Sequence, residues 1–102
     1  MFSLDEIRQR LAGGRFEFSR HAFKRAVERN VSEREIREAG RLATIIEDYP
    51  DDKYAPSCLL LGFGESGRPL HLQVSYLESD VLKIITLYEP DPAEWYDYRQ
   101  RR

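Results

Sequence analysis

At Gly40 the apolar residues of this chain change their spacing from a helical period to a strand period, and that switch constrains the fold more than any other feature. Before Gly40, apolar positions recur at helical intervals; after it, they alternate or run in short blocks. Leu4, Ile7 and Leu11 predict a first helix over Leu4 to Ala12, closed by Gly13-Gly14. Ser19 predicts the cap of a second helix running to Asn30, with Phe18 and Phe23 as a hydrophobic staple. Asn30 tolerates the left-handed conformation that ends helices. Ser32 and Glu35 form a capping box for a third helix, with Val31 and Ile36 as its staple.

Beyond Gly40 four strands are predicted: Ala43 to Tyr49, Ser57 to Phe63, Leu70 to Tyr76 and Val81 to Tyr88. Ser57 to Phe63 is apolar on both faces, which suits the sheet interior. Leu70, Leu72 and Val74 face one way, and His71, Gln73 and Ser75 the other. Asp91-Pro92-Ala93-Glu94 reads as the start of a short terminal helix or turn. The expected fold is a single α+β domain over residues 1–102. N-terminal helices precede a four-stranded antiparallel sheet and pack on one of its faces. Arg99-Gln100-Arg101-Arg102 has no apolar anchor and is expected to be mobile and dispensable for folding. Phe63, Tyr76 and Trp95 are expected in the core or at its rim.

Charge is unevenly spread. Residues 15–41 carry eight Lys/Arg and five Glu, residues 42–98 carry three Lys/Arg and eleven Asp/Glu, and the last four residues add three Arg. A basic helical half and a basic tail on a chain of net charge −2 hint at an anionic partner. The lone cysteine, Cys58, sits in an apolar run, allows no internal disulfide and fits a reducing, cytoplasmic setting. No apolar run approaches a membrane span, so no membrane partner is expected.

Two histidines are candidates for proton chemistry. His21 stands at the second position of the second helix, where the helix dipole favours the neutral imidazole that a general base needs. Arg25 comes one turn later on the same face and Arg29 extends the row. An imidazole beside guanidinium forks suits a phosphodiester: the ring moves a proton and the forks hold phosphate. The plain alternative is an exposed helix face whose arginines pair with Glu17 and Glu28. Thr86 and Tyr88 share one face of the last strand, with Lys83 on the other, and offer two hydroxyls. Arg20, Lys24, Arg29 and His71 complete a candidate RNA-binding set, His71 being either a structural or surface residue or a reserve acid. His21, Cys58 and His71 show no metal-ligand spacing, and no cofactor motif is present.

The run Ser19-Arg20-His21-Ala22 with Arg25, Glu28-Arg29 and Val31-Ser32 resembles the opening of the bacterial domain-of-unknown-function family 4258. Ile46 to Asp51, Gly67 to His71, and Ile85 to Pro90 with Trp95 continue the likeness in order. The resemblance implies a fold related to the barnase–colicin–RelE group of metal-independent ribonucleases, and a toxin that pairs with an antitoxin-like protein. It also implies His21, Thr86 and Tyr88 as site residues. The expected function is an endoribonuclease that cleaves RNA by 2′-hydroxyl attack; the alternatives are a non-catalytic protein-binding module and a basic-helix RNA binder.

Overall fold

A computed structural model describes residues 1–53 and 55–102. Among the described residues there are three helices, α1 (Leu4–Ala12), α2 (Arg20–Glu28) and α3 (Glu33–Arg41); α2 and α3 begin where their caps predict and α1 where the apolar spacing does. Ser3, Ser19 and Ser32 each accept a backbone N–H of the first turn, and Glu6 and Glu35 close capping boxes. Phe18 and Phe23 meet edge to face at 6.2 Å, completing the staple of α2. Asn30 has φ 54°, the left-handed turn that lets α3 start at once.

The sheet differs from the four antiparallel strands expected. It has five strands in the order β1-β5-β4-β3-β2 and is mixed. β1 (Phe16–Phe18), between α1 and α2, pairs parallel to β5 (Leu82–Tyr88). Its Phe-Glu-Phe is too short to show a period, so it escapes a pattern search. β2 (Thr44–Tyr49), β3 (Ser57–Phe63) and β4 (Pro69–Ser75) are antiparallel, and β3 lies inside the sheet as its doubly apolar pattern predicts. A bulge between Ile84 and Thr86 shifts the register of β5 against β4. Ile84 pairs with Val74 and Thr86 with Gln73, so Lys83 and Thr86 lie on one face and not on opposite faces.

Helices cover one face. Leu60, Leu70, Leu72, Val74, Leu82, Ile84 and Leu87 pack there against Ile7, Leu11, Ala22 and Ile36. The approach is close: a Cβ on Gly62 would stand 2.0 Å from the Ala39 carbonyl oxygen, so α3 can lie on β3 only over a glycine. The other face is roofed by the C-terminal segment. Instead of a helix or a loose tail, it forms a hairpin of β6 (Trp95–Tyr96) and β7 (Gln100–Arg101). Asp97 and Tyr98 turn it with φ 50° and 62°. Trp95 is buried, Tyr76 packs at the core rim, and Phe63 is an exposed strand end that meets Tyr98 edge to face.

The tail is fixed by contacts that replace an apolar anchor. Arg101 makes a two-pronged ion pair with Glu47 at 2.9 and 3.1 Å and lies over the Trp95 ring. Arg99 donates to Thr44 Oγ1, and Arg102 stacks on Tyr96. The mobile tail expected from sequence is therefore corrected: cation–π and charge-assisted contacts dock it.

Candidate functional site

The parallel pairing of β1 stops at Ile84, and the junction just beyond that point makes the site. Ser19 N–H donates to the Ile84 carbonyl and Ser19 Oγ donates to the Ile85 carbonyl at 2.7 Å. The same Oγ accepts the Ala22 N–H as the cap of α2. One serine therefore ends β1, starts α2 and fastens that helix end to the bulged strand.

That junction opens a cleft of about 440 Å³. His21, Arg25 and Arg29 line its α2 wall, one turn apart along the helix, and Thr86 and Tyr88 line its β5 wall. Residues 65 positions apart in sequence thus meet in one open hollow, and the bulge keeps Thr86 and Tyr88 on the face that reaches it. Glu89, Asp91 and Glu94 form the far rim. Glu89 is engaged by Arg68 at 2.7 Å and Asp91 by the Ala93 N–H, so two of the three carboxylates are already held.

His21 is exposed, and no hydrogen bond joins its ring to the described residues. Arg25 is half-buried, with Glu28 at 3.8 Å. Glu17 pairs with Lys83 instead of an arginine. Lys24 points to Glu28 at 4.0 Å on the exposed side of α2 and does not line the cleft. Arg20 lines a neighbouring hollow with His21, Lys83 and Ile85.

His71 is not an RNA-facing residue. Its side chain is fully buried beneath the C-terminal hairpin, against Trp95 at 4.5 Å and Tyr88 at 5.2 Å between ring centres. Its Nε2 lies 2.6 Å from the Tyr98 carbonyl oxygen and its Nδ1 3.1 Å from the Tyr88 hydroxyl. A carbonyl only accepts, so Nε2 carries the proton of the neutral ring. Nδ1 is then the acceptor and Tyr88 the donor. Burial pushes the His71 imidazole below its ordinary value, outweighing the Tyr98 carbonyl and the Glu47 charge, which pull the other way. Burial likewise pushes the Tyr88 phenol up.

Arg68 was not singled out from sequence as a functional residue. It donates to the Arg29 and Asn30 carbonyls that end α2, and to both Glu35 and Glu89. It ties the α2–α3 turn to Glu89 at the end of β5, beside the cleft. Burial pushes the Glu35 carboxyl up, but the Ser32 cap and Arg68 hold it below its usual range. Cys58 is buried, and desolvation with the Asp48 charge pushes its thiol up to about 12, so it is no nucleophile. Among the described residues no group of three or more His, Cys, Asp or Glu side chains could hold a metal ion. No helix in them is long and apolar enough to cross a membrane.

No curated protein and no solved structure matches the chain. A family model does: the one described as Domain of unknown function (DUF4258) matches residues 18–89, which run from the strand before the Ser19 cap through both walls of the cleft. The chain therefore belongs to that family.

Proposed function

We propose that the protein is a metal-independent endoribonuclease of the toxin–antitoxin kind, acting in the cytoplasm, with RNA bound across the cleft between α2 and β5. The observation that carries this reading is the meeting of the exposed His21 with Arg25, Arg29, Thr86 and Tyr88 along the walls of one open hollow. Arg25 and Arg29 hold a phosphodiester and stabilise the charge that grows on it. Thr86 orients a phosphate oxygen, and His21 moves a proton at the reacting oxygens. The ribose 2′-hydroxyl attacks the neighbouring phosphorus, leaving a 2′,3′-cyclic phosphate and a free 5′-hydroxyl. Arg20 and Lys24 extend the basic surface along α2. The likeness to barnase- and RelE-type toxins is part of the proposal and agrees with an α+β fold whose helices pack on one sheet face.

A second reading rests on the acidic rim. Glu94 stands beside the cleft with Glu89 and Asp91, and a basic segment of an antitoxin-like protein would lie there and block the arginine wall.

The test is cleavage of a defined RNA by purified protein in a chelator, with the ends of the products identified. Activity with cyclic phosphate ends, lost in His21→Ala and in Arg25→Ala, supports the reading. An intact RNA, or cleavage unaffected by both substitutions, overturns it.

A further inference from the structure

Cleavage by 2′-hydroxyl attack moves two protons, one off the attacking oxygen and one onto the leaving 5′-oxygen. The cleft holds an exposed imidazole at His21, and its opposite wall holds a hydroxyl whose own proton is already committed. Tyr88 lines the cleft, and its hydroxyl donates to Nδ1 of His71. That direction is fixed from the far side of the ring, where Nε2–H is spent on the Tyr98 carbonyl at 2.6 Å. With its proton committed to Nδ1, the Tyr88 oxygen can only accept from a group that reaches it along the cleft wall. Directly behind it stands a neutral imidazole nitrogen with room for one more proton.

We infer that Tyr88, backed by the buried His71, is the proton acceptor of the cleft, and that His21 on the opposite wall is the proton donor. The inference rests on the ribonuclease reading and reverses the role that helix position alone suggests for His21. The 2′-hydroxyl donates to Tyr88 Oη. As its O–H bond breaks, that proton passes to Tyr88 and the phenolic proton of Tyr88 passes to His71 Nδ1. The 2′-oxygen forms its bond to phosphorus, the bond from phosphorus to the 5′-oxygen breaks, and the 5′-oxygen takes a proton from the His21 imidazolium. The products are a cyclic phosphate, a 5′-alcohol, a neutral His21 and a protonated His71. Proton exchange with water returns the two rings to their starting forms.

The protonated His71 ring has a partner for each N–H: the Tyr98 carbonyl and the Tyr88 oxygen. Burial is the main cost of that charge and Arg101, paired with Glu47, adds to it, while the Tyr98 carbonyl and Glu47 favour it, so the proton is held only until it exchanges with water. The roof of Trp95 and the hairpin keeps water from Nδ1, so the ring can be reached from the cleft through Tyr88. His71 touches no substrate; it is a positioning residue that sets the direction of the Tyr88 hydrogen bond and holds the proton. The same contacts explain why a fully buried histidine sits on the sheet face opposite the core: Leu or Phe would fill the volume but would leave the Tyr88 hydroxyl and the Tyr98 carbonyl without partners.

Two substrates separate donor from acceptor. A dinucleotide leaves as an alcohol and needs a proton donor; a nitrophenyl ester of uridine 3′-phosphate leaves as a stable phenolate and needs none. Tyr88→Phe should lose about 10²–10⁴-fold in cleavage of both substrates, the usual worth of a proton acceptor. His71→Asn keeps an oxygen to receive the Tyr88 hydroxyl but cannot take up a proton, and should lose activity on both alike. His21→Ala should lose the dinucleotide reaction and retain the nitrophenyl ester. If His21→Ala loses both substrates equally while folded Tyr88→Phe keeps both, His21 is the acceptor and the inference falls while the ribonuclease reading stands. If the unaltered protein cleaves neither substrate, both fall together. Should His71→Asn not fold, Tyr88→Phe carries the test alone. Nitrogen NMR of the unaltered protein adds an arm independent of activity: a His71 ring protonated at Nδ1 instead of Nε2 overturns the inference.

Discussion

The two histidines lie on either side of Tyr88 and live in opposite surroundings. His21 stands at the mouth of the α2–β5 cleft, exposed, with no hydrogen bond to the described residues. His71 lies under the C-terminal hairpin with both ring nitrogens engaged and no exposed surface. One ring is free to meet a ligand; the other can act only through what it touches. The same contrast divides the molecule. The cleft is built from an unfinished edge, where β1 stops and α2 begins, while the opposite sheet face is closed by a hairpin that satisfies every polar group of His71. Reactivity collects where pairing is left incomplete, and support collects where it is complete.

The roof over His71 is the part whose removal should matter most. Trp95 is buried, stacks edge to face on His71 and carries Arg101 on its own face. Trp95→Ala removes the largest side chain of that roof and should cost about 3–5 kcal/mol, as for other buried large-to-small changes. Thermal or denaturant unfolding measures it. A melting temperature unchanged from the parent would mean that the hairpin is not docked, and would make the two histidines alike.

Arg101→Ala should cost less, about 1–2 kcal/mol, because it removes one cation–π contact and one partly exposed ion pair. The sequence pointed the other way here. Arg99 to Arg102 contains no apolar residue, and a pattern search for apolar anchors reads such a tail as loose. Two of its anchors, Glu47 and Thr44, lie more than fifty positions away and give no local signal; the other two, Trp95 and Tyr96, are nearby but meet the arginines only once the hairpin turns.

How much of the fold was legible depends on the same division between local and distant causes. The caps at Ser19 and Ser32, the turn at Asn30 and the doubly apolar β3 are local, and each stands where the sequence predicts it. β1 is three residues long and pairs with a strand more than sixty positions away, so nothing nearby announces it. The parallel pairing, and with it the mixed sheet, therefore leaves no local trace in the sequence. In the candidate site, the helical row of His21, Arg25 and Arg29 and the shared face of Thr86 and Tyr88 were legible from periodicity. The cover over His71 was not, because alternation assigns a residue to a face but does not say what lies on that face. Arg68 gives no local signal because its four partners come from three separate parts of the chain.

Acid should act on the fold through the buried His71. Burial holds the folded His71 imidazole below its ordinary value of about 6.5, so the unfolded chain binds that proton more readily than the folded one. The stabilisation is complete above about pH 6.5 and is lost progressively as the pH falls below it. Denaturant midpoints measured from pH 7.5 to pH 5 should decline in the parent protein and decline less in His71→Gln, whose amide still donates to the Tyr98 carbonyl and does not titrate. Equal slopes in the two proteins would assign the acid sensitivity to other groups. Glu47 is not among them in this window. Burial pushes its carboxyl up, but the Arg101 and Tyr49 hydrogen bonds bring it below the usual carboxylate range, so its contribution is lost only at lower pH.

The smallest effect on stability should come from His21→Ala, and the smallness is the point. The ring is exposed, stands at the second position of α2 and makes no hydrogen bond to the described residues; the cap beneath it belongs to Ser19 and the burial to Ala22 and Ala26. Alanine is the best helix former, so the backbone loses nothing. Surface changes away from caps and core usually fall within about 0.5 kcal/mol. Unfolding of His21→Ala should therefore overlay that of the parent protein, while Ser19→Ala should lose about 1 kcal/mol because it removes the α2 cap and the bond to the Ile85 carbonyl together. A fall of 2 kcal/mol or more in His21→Ala would show that this ring is packed or bonded, and the contrast between the two histidines would be gone. An overlay does more than leave the contrast standing. It makes any change in RNA cleavage by His21→Ala a statement about the reacting oxygens alone, since nothing else in the molecule has moved.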